Sequence, residues 1–229
     1  MEINNFTILN FPEVESTNEL AFKLIKENRA FNNFIITADS QTKGRGRQDR
    51  NWISPVGNLY LSLILQFEDN KRITDYSFLT ACAIGETLRS YQIETKYKWP
   101  NDIILNEKKL AGILLQCEKI NNVFNLIIGV GLNLTSSPEY AISLADYHIS
   151  KEDFIKKFTE IFADQQNKYQ QFGFRTIKDQ WKKHAYKIGE KIKLSNGMEG
   201  IFSDIDENAN LLLRDDAGKL NKILADEIL

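Results

Sequence analysis

Between two β-patterned stretches, Phe34 to Ala38 and Leu59 to Phe67, lies a segment that no regular element can absorb. From Asp39 to Gly57 there is no hydrophobic periodicity, and three glycines and one proline interrupt the chain. Within it, three of the eight arginines fall inside six residues: Arg45, Arg47 and Arg50. The run Gly44-Arg45-Gly46-Arg47-Gln48-Asp49-Arg50-Asn51-Trp52 therefore requires a fold that carries a cationic loop between strands. Arginine's planar fork matches carboxylate and phosphate oxygens. Glycine lets backbone approach a ligand closely, and Trp52 offers an aromatic face to a planar group. Long glycine-bearing loops of this kind often close over ligands.

The composition excludes several classes of function. The chain has 229 residues, 42% of them hydrophobic, enough for one large domain or for one medium domain plus a small appendage. Basic residues number 29 and acidic residues 31, for a net charge of −2, which argues against a general nucleic-acid binder. Two cysteines give no disulfide framework, and Cys82 and Cys117 both read as buried hydrophobes. Two histidines without CxxC, HExxH or HxH spacing argue against a zinc enzyme, and no G-x-S-x-G elbow is present. Walker A is absent too, and Gly44 to Asp49 lacks the third glycine of a dinucleotide loop. The first residues do not resemble a signal peptide, and no apolar run approaches the ~20 residues of a membrane span. A cytoplasmic, membrane-free protein is the expectation.

Along the chain, Phe6 to Phe11 reads as a short strand. Ser16-Thr17-Asn18-Glu19 has the form of a capping box, with Ser16 as N-cap and Glu19 reaching back, opening a helix to about Ala30. Leu59, Leu61, Leu63 and Leu65 alternate onto one strand face, and Ile73 to Tyr91 is patterned as a mostly apolar helix. Pro100 separates Tyr97–Trp99 from Ile103–Leu105, which predicts a strand interrupted by a bulge or bend. Asn106-Glu107-Lys108 and Asn121-Asn122 are turn signals around two long apolar strands, Leu110–Glu118 and Phe124–Leu134. Ser150 caps a helix whose stripe runs through Phe154, Phe158 and Phe162. A basic helix follows from Phe174 to Tyr186, with His184 at its exposed end. Short strands and turns then alternate to the C-terminus, predicting a small SH3-like β-barrel. The fold class expected is α+β, with a domain over 1–186 and the barrel over 187–229.

Three more motifs join the arginine loop. Lys98-Trp99-Pro100-Asn101-Asp102 brings a lysine, an amide and a carboxylate together, and Lys109-Leu110-Ala111-Gly112 opens an apolar strand with a lysine. Gly129-Val130-Gly131-Leu132-Asn133 puts two glycines inside a strand, where they weaken it unless something approaches closely. With Ser16-Thr17-Asn18 at the start, this ordered set resembles the biotin protein ligases from about residue 10 to the end. That family reads S-T-N, G-R-G-R-x-G-R-x-W, K-W-P-N-D, K-L-A-G-I-L and G-x-G-x-N. Two positions depart from it: Asp49 replaces a usual glycine, and Gln48 a frequent basic residue.

The resemblance implies a class II synthetase-like, biotin–lipoate-ligase-like catalytic domain with a mixed, largely antiparallel sheet. It implies that biotin and MgATP form biotinoyl-AMP, which a lysine of a biotin carboxyl carrier protein domain then attacks. By motif position, Ser16, Thr17, Asn18, Gln41, Gly44, Arg45, Gly46, Arg47, Lys109, Gly112 and Gly129 would surround biotin. Gly112 and Gly129 would leave room for its bicycle, and Arg47 and Lys109 would be catalytic. Arg47, Arg50, Trp52, Lys98, Asn101 and Asn133 would bind the nucleotide, with Asp102 a Mg²⁺ ligand or a structural residue. Some relatives carry an N-terminal DNA-binding domain; with a strand already near Phe6, none is expected here, nor DNA binding. Monomer and homodimer both remain open. The alternatives are a lipoate–protein ligase or acyltransferase of similar fold, and a non-catalytic biotin sensor.

Overall fold

The computed structural model describes residues 2–224 and 226–229. In chain order, a two-residue strand β1 (Glu2–Ile3) precedes β2 (Phe6–Val14), α1 (Thr17–Lys26), β3 (Phe34–Gln41) and β4 (Leu59–Phe67). Then come α2 (Asp75–Arg89), β5 (Lys96–Lys98), β6 (Asp102–Leu105), β7 (Lys108–Ile120) and β8 (Val123–Leu132). Two helices follow, α3 (Lys151–Phe172) and α4 (Phe174–Lys182). The last elements are β9 (Lys191–Lys193), β10 (Glu199–Ile205), β11 (Leu211–Arg214) and β12 (Leu220–Ile223).

The first eight strands form one sheet in the order β1-β2-β3-β4-β8-β7-β6-β5. Only β2 and β3 are parallel, and α1 supplies their crossover. The alternation in β4 explains the two layers. Leu59, Leu61, Leu63 and Leu65 join the main core with α2, α3 and α4. Ile64 faces the other way, packing with Ile36, Ile127 and the Ala21, Leu24 and Ile25 stripe of α1. The remaining four strands form an antiparallel sheet, β12-β11-β10-β9, consistent with an SH3-like barrel. Its inward residues, including Phe202, Leu211 and Leu213, belong to the same hydrophobic cluster as the large sheet. Trp99, fully buried, donates its indole N–H to Ala209 O at 3.1 Å and so ties the two sheets together.

Both Asn-bearing turns form as anticipated. Asn106, Glu107, Asn121 and Asn122 all have positive φ, as a two-residue hairpin turn requires. Ser150 caps α3 by accepting from Asp153 N. Other expectations need correction. Ser16 is the N-cap of α1 but makes no side-chain cap bond, and Glu19 turns away to Arg45 at 3.0 Å, so there is no capping box. Helix α1 stops at Lys26, where Asn28 takes positive φ.

The chain around Pro100 is not one interrupted strand. Lacking an N–H for the ladder, Pro100 lies in a reversal that pairs Lys98 with Asp102, so β5 and β6 are an antiparallel hairpin. Helix α4 ends at Lys182 because the following backbone pairs with β5 instead: Tyr97 N donates to His184 O and Tyr186 N to Tyr97 O, both at 2.8 Å. His184 is accordingly half-buried beside Arg89. Cys82 is buried, but Cys117 is exposed, because β7 runs past the end of β6 and leaves an open edge there. Among the described residues, no helix is long and apolar enough to cross a membrane.

Candidate active site

The site is built where the start of α1, the end of β3 with the loop after it, the β5–β6 turn, the first part of β7 and the last part of β8 meet. The strands are glycine-rich at this point, with Gly112 paired to Gly131 and Gly129 opposite both Ser62 and Leu114. What fills the missing side chains is protein, not open space. A Cβ on Gly131 would lie 2.4 Å from the Trp52 indole, and one on Gly129 would lie 2.5 Å from Asn18 Oδ1. Gly112 likewise faces Trp52, with a Cβ contact of 3.2 Å. Gly112 and Gly129 line the cavity and also seat Trp52 and Asn18, which in turn wall it.

At one end these side chains form a polar chain. Gln41 Oε1 accepts from Thr17 N at 2.8 Å, and Gln41 Nε2 donates to Ser54 Oγ at 2.9 Å. Ser62 Oγ lies 2.7 Å from Thr17 Oγ1 and 2.6 Å from Asn18 Oδ1. Asn18 Nδ2 donates to Gln116 Oε1 at 2.7 Å. One hydroxyl has one proton, so Ser62 donates to Asn18, and the Thr17 proton serves Ser62 Oγ with Gln41 Oε1, at 3.1 Å, as a second acceptor. Thr17 Oγ1 then keeps a lone pair free for an N–H donor. The Ser16 hydroxyl, in a residue 4% exposed, has no side-chain partner among the described residues. Together they offer a donor and an acceptor side by side.

At the other end lie the cations. The arginine loop is a small hairpin of its own: Trp52 N donates to Gly44 O at 2.9 Å and Gly46 N to Arg50 O at 2.6 Å. Its tip, Gln48 and Asp49, has φ of 52° and 55°, so aspartate adopts the left-handed conformation that glycine takes most readily. Arg47 Nη1 donates to Asn101 Oδ1 at 3.2 Å, and Asn101 is fixed by its own bond to Ile113 O at 2.6 Å. Lys109 Nζ pairs with Asp102 Oδ1 at 2.6 Å and sits 5.3 Å from the Trp52 ring centroid. Burial pushes the Lys98 amine below the usual lysine range, with Asp102 pulling it back and Lys109 adding to the depression. Arg50 pairs with Glu227, whose hydrogen bond raises the guanidinium's pKa.

Both ends open into one cavity of about 310 Å³, within the range of small-molecule sites. Ser16, Thr17, Asn18, Gln41, Arg45, Gly46, Arg47, Arg50, Trp52, Lys98, Asn101, Asp102, Lys109, Gly112 and Gly129 all line it. Gly44 and Asn133 do not. Gly44 is buried under the Trp52 carbonyl, supporting the hairpin. Asn133, 3% exposed, donates to Ile142 O at 3.1 Å and braces the chain that follows β8. Sequence reasoning missed Tyr140 and Glu227, which carry no local motif, and left Gly131 out of the site although its motif was in view. Among the described residues, no cluster of three His, Cys, Asp or Glu could hold a metal ion. Asp102 is a single hard oxygen donor, which fits a magnesium ion only if phosphates supply most of its other ligands.

Known proteins share this fold. The family model for the biotin/lipoate A/B protein ligases matches residues 11–133. Biotin–[acetyl-CoA-carboxylase] ligase of Paracoccus denitrificans is 30% identical, over 80% of this chain and 85% of its own length. The bifunctional ligase/repressor BirA of Bacillus subtilis is 32% identical, over 94% of this chain and 71% of that one. Among solved structures, the biotin protein ligase from Aquifex aeolicus in complex with biotin and ATP superposes with a TM-score of 0.85 at 27% identity, covering 97% of each chain.

Proposed function

The chain belongs to the biotin/lipoate A/B protein ligase family, and from that premise we propose that it attaches biotin to a lysine of a biotin carboxyl carrier protein domain at the expense of ATP. A biotin carboxylate oxygen attacks the α-phosphorus and pyrophosphate leaves, giving biotinoyl-AMP. The carrier lysine's neutral amine then attacks the acyl carbon, AMP leaves, and the amine's proton passes to solvent. Carboxylate and triphosphate repel each other, so a protein that joins them supplies fixed positive charge and positions both. Arg47 and Lys109 do this at the reacting centre. Arg50 and Lys98 hold phosphate oxygens, and Asn101 fixes Arg47. Trp52 walls the space between the two ligands. Magnesium carried by the nucleotide would offset part of its charge, and Asp102, through the oxygen that Lys109 leaves open, is the carboxylate that would meet it.

The observation that carries the reading is the polar end of the cavity. A cyclic urea has one carbonyl acceptor and two N–H donors, which complement the Ser16 hydroxyl, the free Thr17 lone pair and the buried amides around them. A dithiolane offers neither donor nor strong acceptor and would leave the Ser16 hydroxyl and the Thr17 lone pair without a partner, a penalty for a buried site. Lipoate transfer is therefore disfavoured, and the cations at the opposite end are superfluous to a pure sensor. In this reading residues 1–186 form the catalytic domain and 187–229 the barrel, and the protein acts without binding DNA. The test incubates the chain with biotin, MgATP and a biotin carboxyl carrier domain, followed by mass spectrometry of the carrier. One biotinylated lysine, with AMP and pyrophosphate released, is expected. Labelling supported by lipoate and not by biotin, or biotin binding without adenylate, would overturn the proposal.

A further inference from the structure

Two carboxylates line the cavity, and they are differently placed: Asp102 belongs to the large sheet, whereas Glu227 arrives from the C-terminal segment. We propose that Glu227 gates the nucleotide half of the site, its carboxylate occupying in the ligand-free protein the place on Arg50 that a triphosphate oxygen takes. This rests on the reading of Arg50 as a phosphate ligand.

Glu227 is delivered to that place by a rigid anchor. Asp226, 5% exposed, accepts from Ser195 N at 3.0 Å and Glu227 N at 2.7 Å through one oxygen, which also meets the Ser195 hydroxyl. Ser195 N also donates to Glu227 O at 2.9 Å, and Leu229 N to Lys193 O at 2.8 Å. Leu194 and Ile228 form a β-bridge between them. The backbone on both sides of Glu227 is thus held against β9, and its side chain reaches across to the Arg50 guanidinium. Arg50 in turn donates Nε to Arg47 O at 3.3 Å, so the pair also steadies the loop that carries Arg47.

The other cations of the cavity are arranged differently. Arg47 meets the neutral Asn101, and the Lys98 amine has no side-chain hydrogen bond or close ion pair among the described residues, feeling Asp102 and Glu227 only through longer-range charge. Both are ready for an anion. Arg50 is already satisfied, and a phosphate oxygen docking on the same fork would lie beside a carboxylate in a partly dehydrated cleft, where like charges repel. Glu227 must leave as the triphosphate enters. The small C-terminal sheet thereby reports to the nucleotide site through one ion pair.

The experiment compares Glu227→Gln, Arg50→Ala and the double variant of the full chain by biotin-dependent ATP–pyrophosphate exchange. Glutamine keeps the shape and removes the charge. Because the pair is half-exposed, KM for MgATP should fall about three- to fivefold in Glu227→Gln, with KM for biotin unchanged. A merely structural loss would raise KM rather than lower it. In the Arg50→Ala background the glutamine substitution should have a much smaller effect, acting only through the more distant Lys98. An unchanged or raised KM for MgATP in Glu227→Gln, or the same fall without Arg50, would overturn the gate alone. An Arg50→Ala variant with unaltered KM for MgATP would overturn the phosphate reading on which it rests.

Discussion

Lys109 and Asp102 face each other across β6 and β7, Nζ to Oδ1 at 2.6 Å, with the Trp52 ring closing over the ammonium at 5.3 Å. The carboxylate holds the lysine in one position inside the cavity, so its charge is preorganised before any ligand arrives. Removing that charge should slow adenylate formation by about 100- to 1000-fold, the usual effect of losing a donor aimed at developing negative charge. Lys109→Met, followed by pyrophosphate exchange with circular dichroism as a fold control, checks this. A loss of less than about fivefold would show that the lysine is only a strand-end salt bridge.

Ser62 touches no proposed ligand atom, yet its one proton sets the direction of the Thr17–Asn18 chain. Ser62→Ala should raise KM for biotin roughly tenfold, about one hydrogen bond's worth, with little change in kcat. Steady-state kinetics with biotin varied at saturating MgATP gives the answer.

Gly131 is the tightest seat in the site, since a methyl group there would lie 2.4 Å from the Trp52 indole. Gly131→Ala should displace Trp52, destabilise the chain by about 1–3 kcal/mol and weaken both substrates. Thermal unfolding, together with a shift in tryptophan fluorescence, measures it.

Much of this was legible in the sequence, for identifiable physical reasons. Alternation in Leu59–Phe67 and the Asn turns at 106–107 and 121–122 are local rules that tertiary contacts reinforce. The ordered motifs picked out most of the cavity because glycine, lysine and arginine in strands and loops are unusual enough to need a reason. Where local rules failed, a partner distant in sequence won. Glu19 left its capping box for Arg45, and Tyr97 drew the chain after Lys182 out of its helix. Asn133, though inside a motif, turned inward to brace Ile142. Glu227 was illegible because nothing near it in sequence hints that Arg50 lies opposite.

Asp49 stands in the left-handed region, where a β-branched residue is strained by about 1–2 kcal/mol. Asp49→Gly should hold or raise the thermal midpoint, and Asp49→Val should lower it and raise KM for MgATP. Comparing the two by calorimetry and kinetics separates backbone strain from the loss of charge.

The Lys98 amine is held below the ordinary lysine range mainly by burial. Because its folded pKa lies below its unfolded value, the unfolded chain binds more protons between the two, and stability rises with pH across that alkaline window. Affinity runs the other way. As pH climbs through the lowered pKa the free protein loses a phosphate-binding charge, so KM for MgATP should rise earlier than an ordinary lysine would allow. Lys98→Arg should abolish that rise in a pH series of pyrophosphate exchange.

The central claim is that one cavity seats a cyclic urea at its hydrogen-bonding end and a nucleotide under the arginine loop, with their reacting groups between Arg47 and Lys109. A crystal structure of the chain grown with biotin and ATP tests it most directly. The account expects the bicycle against Ser16, Thr17 and Gln41, and Arg47 and Lys109 on the carboxyl–phosphate junction. A loop turned outward with Arg47 in solvent, or biotin bound elsewhere, would contradict it.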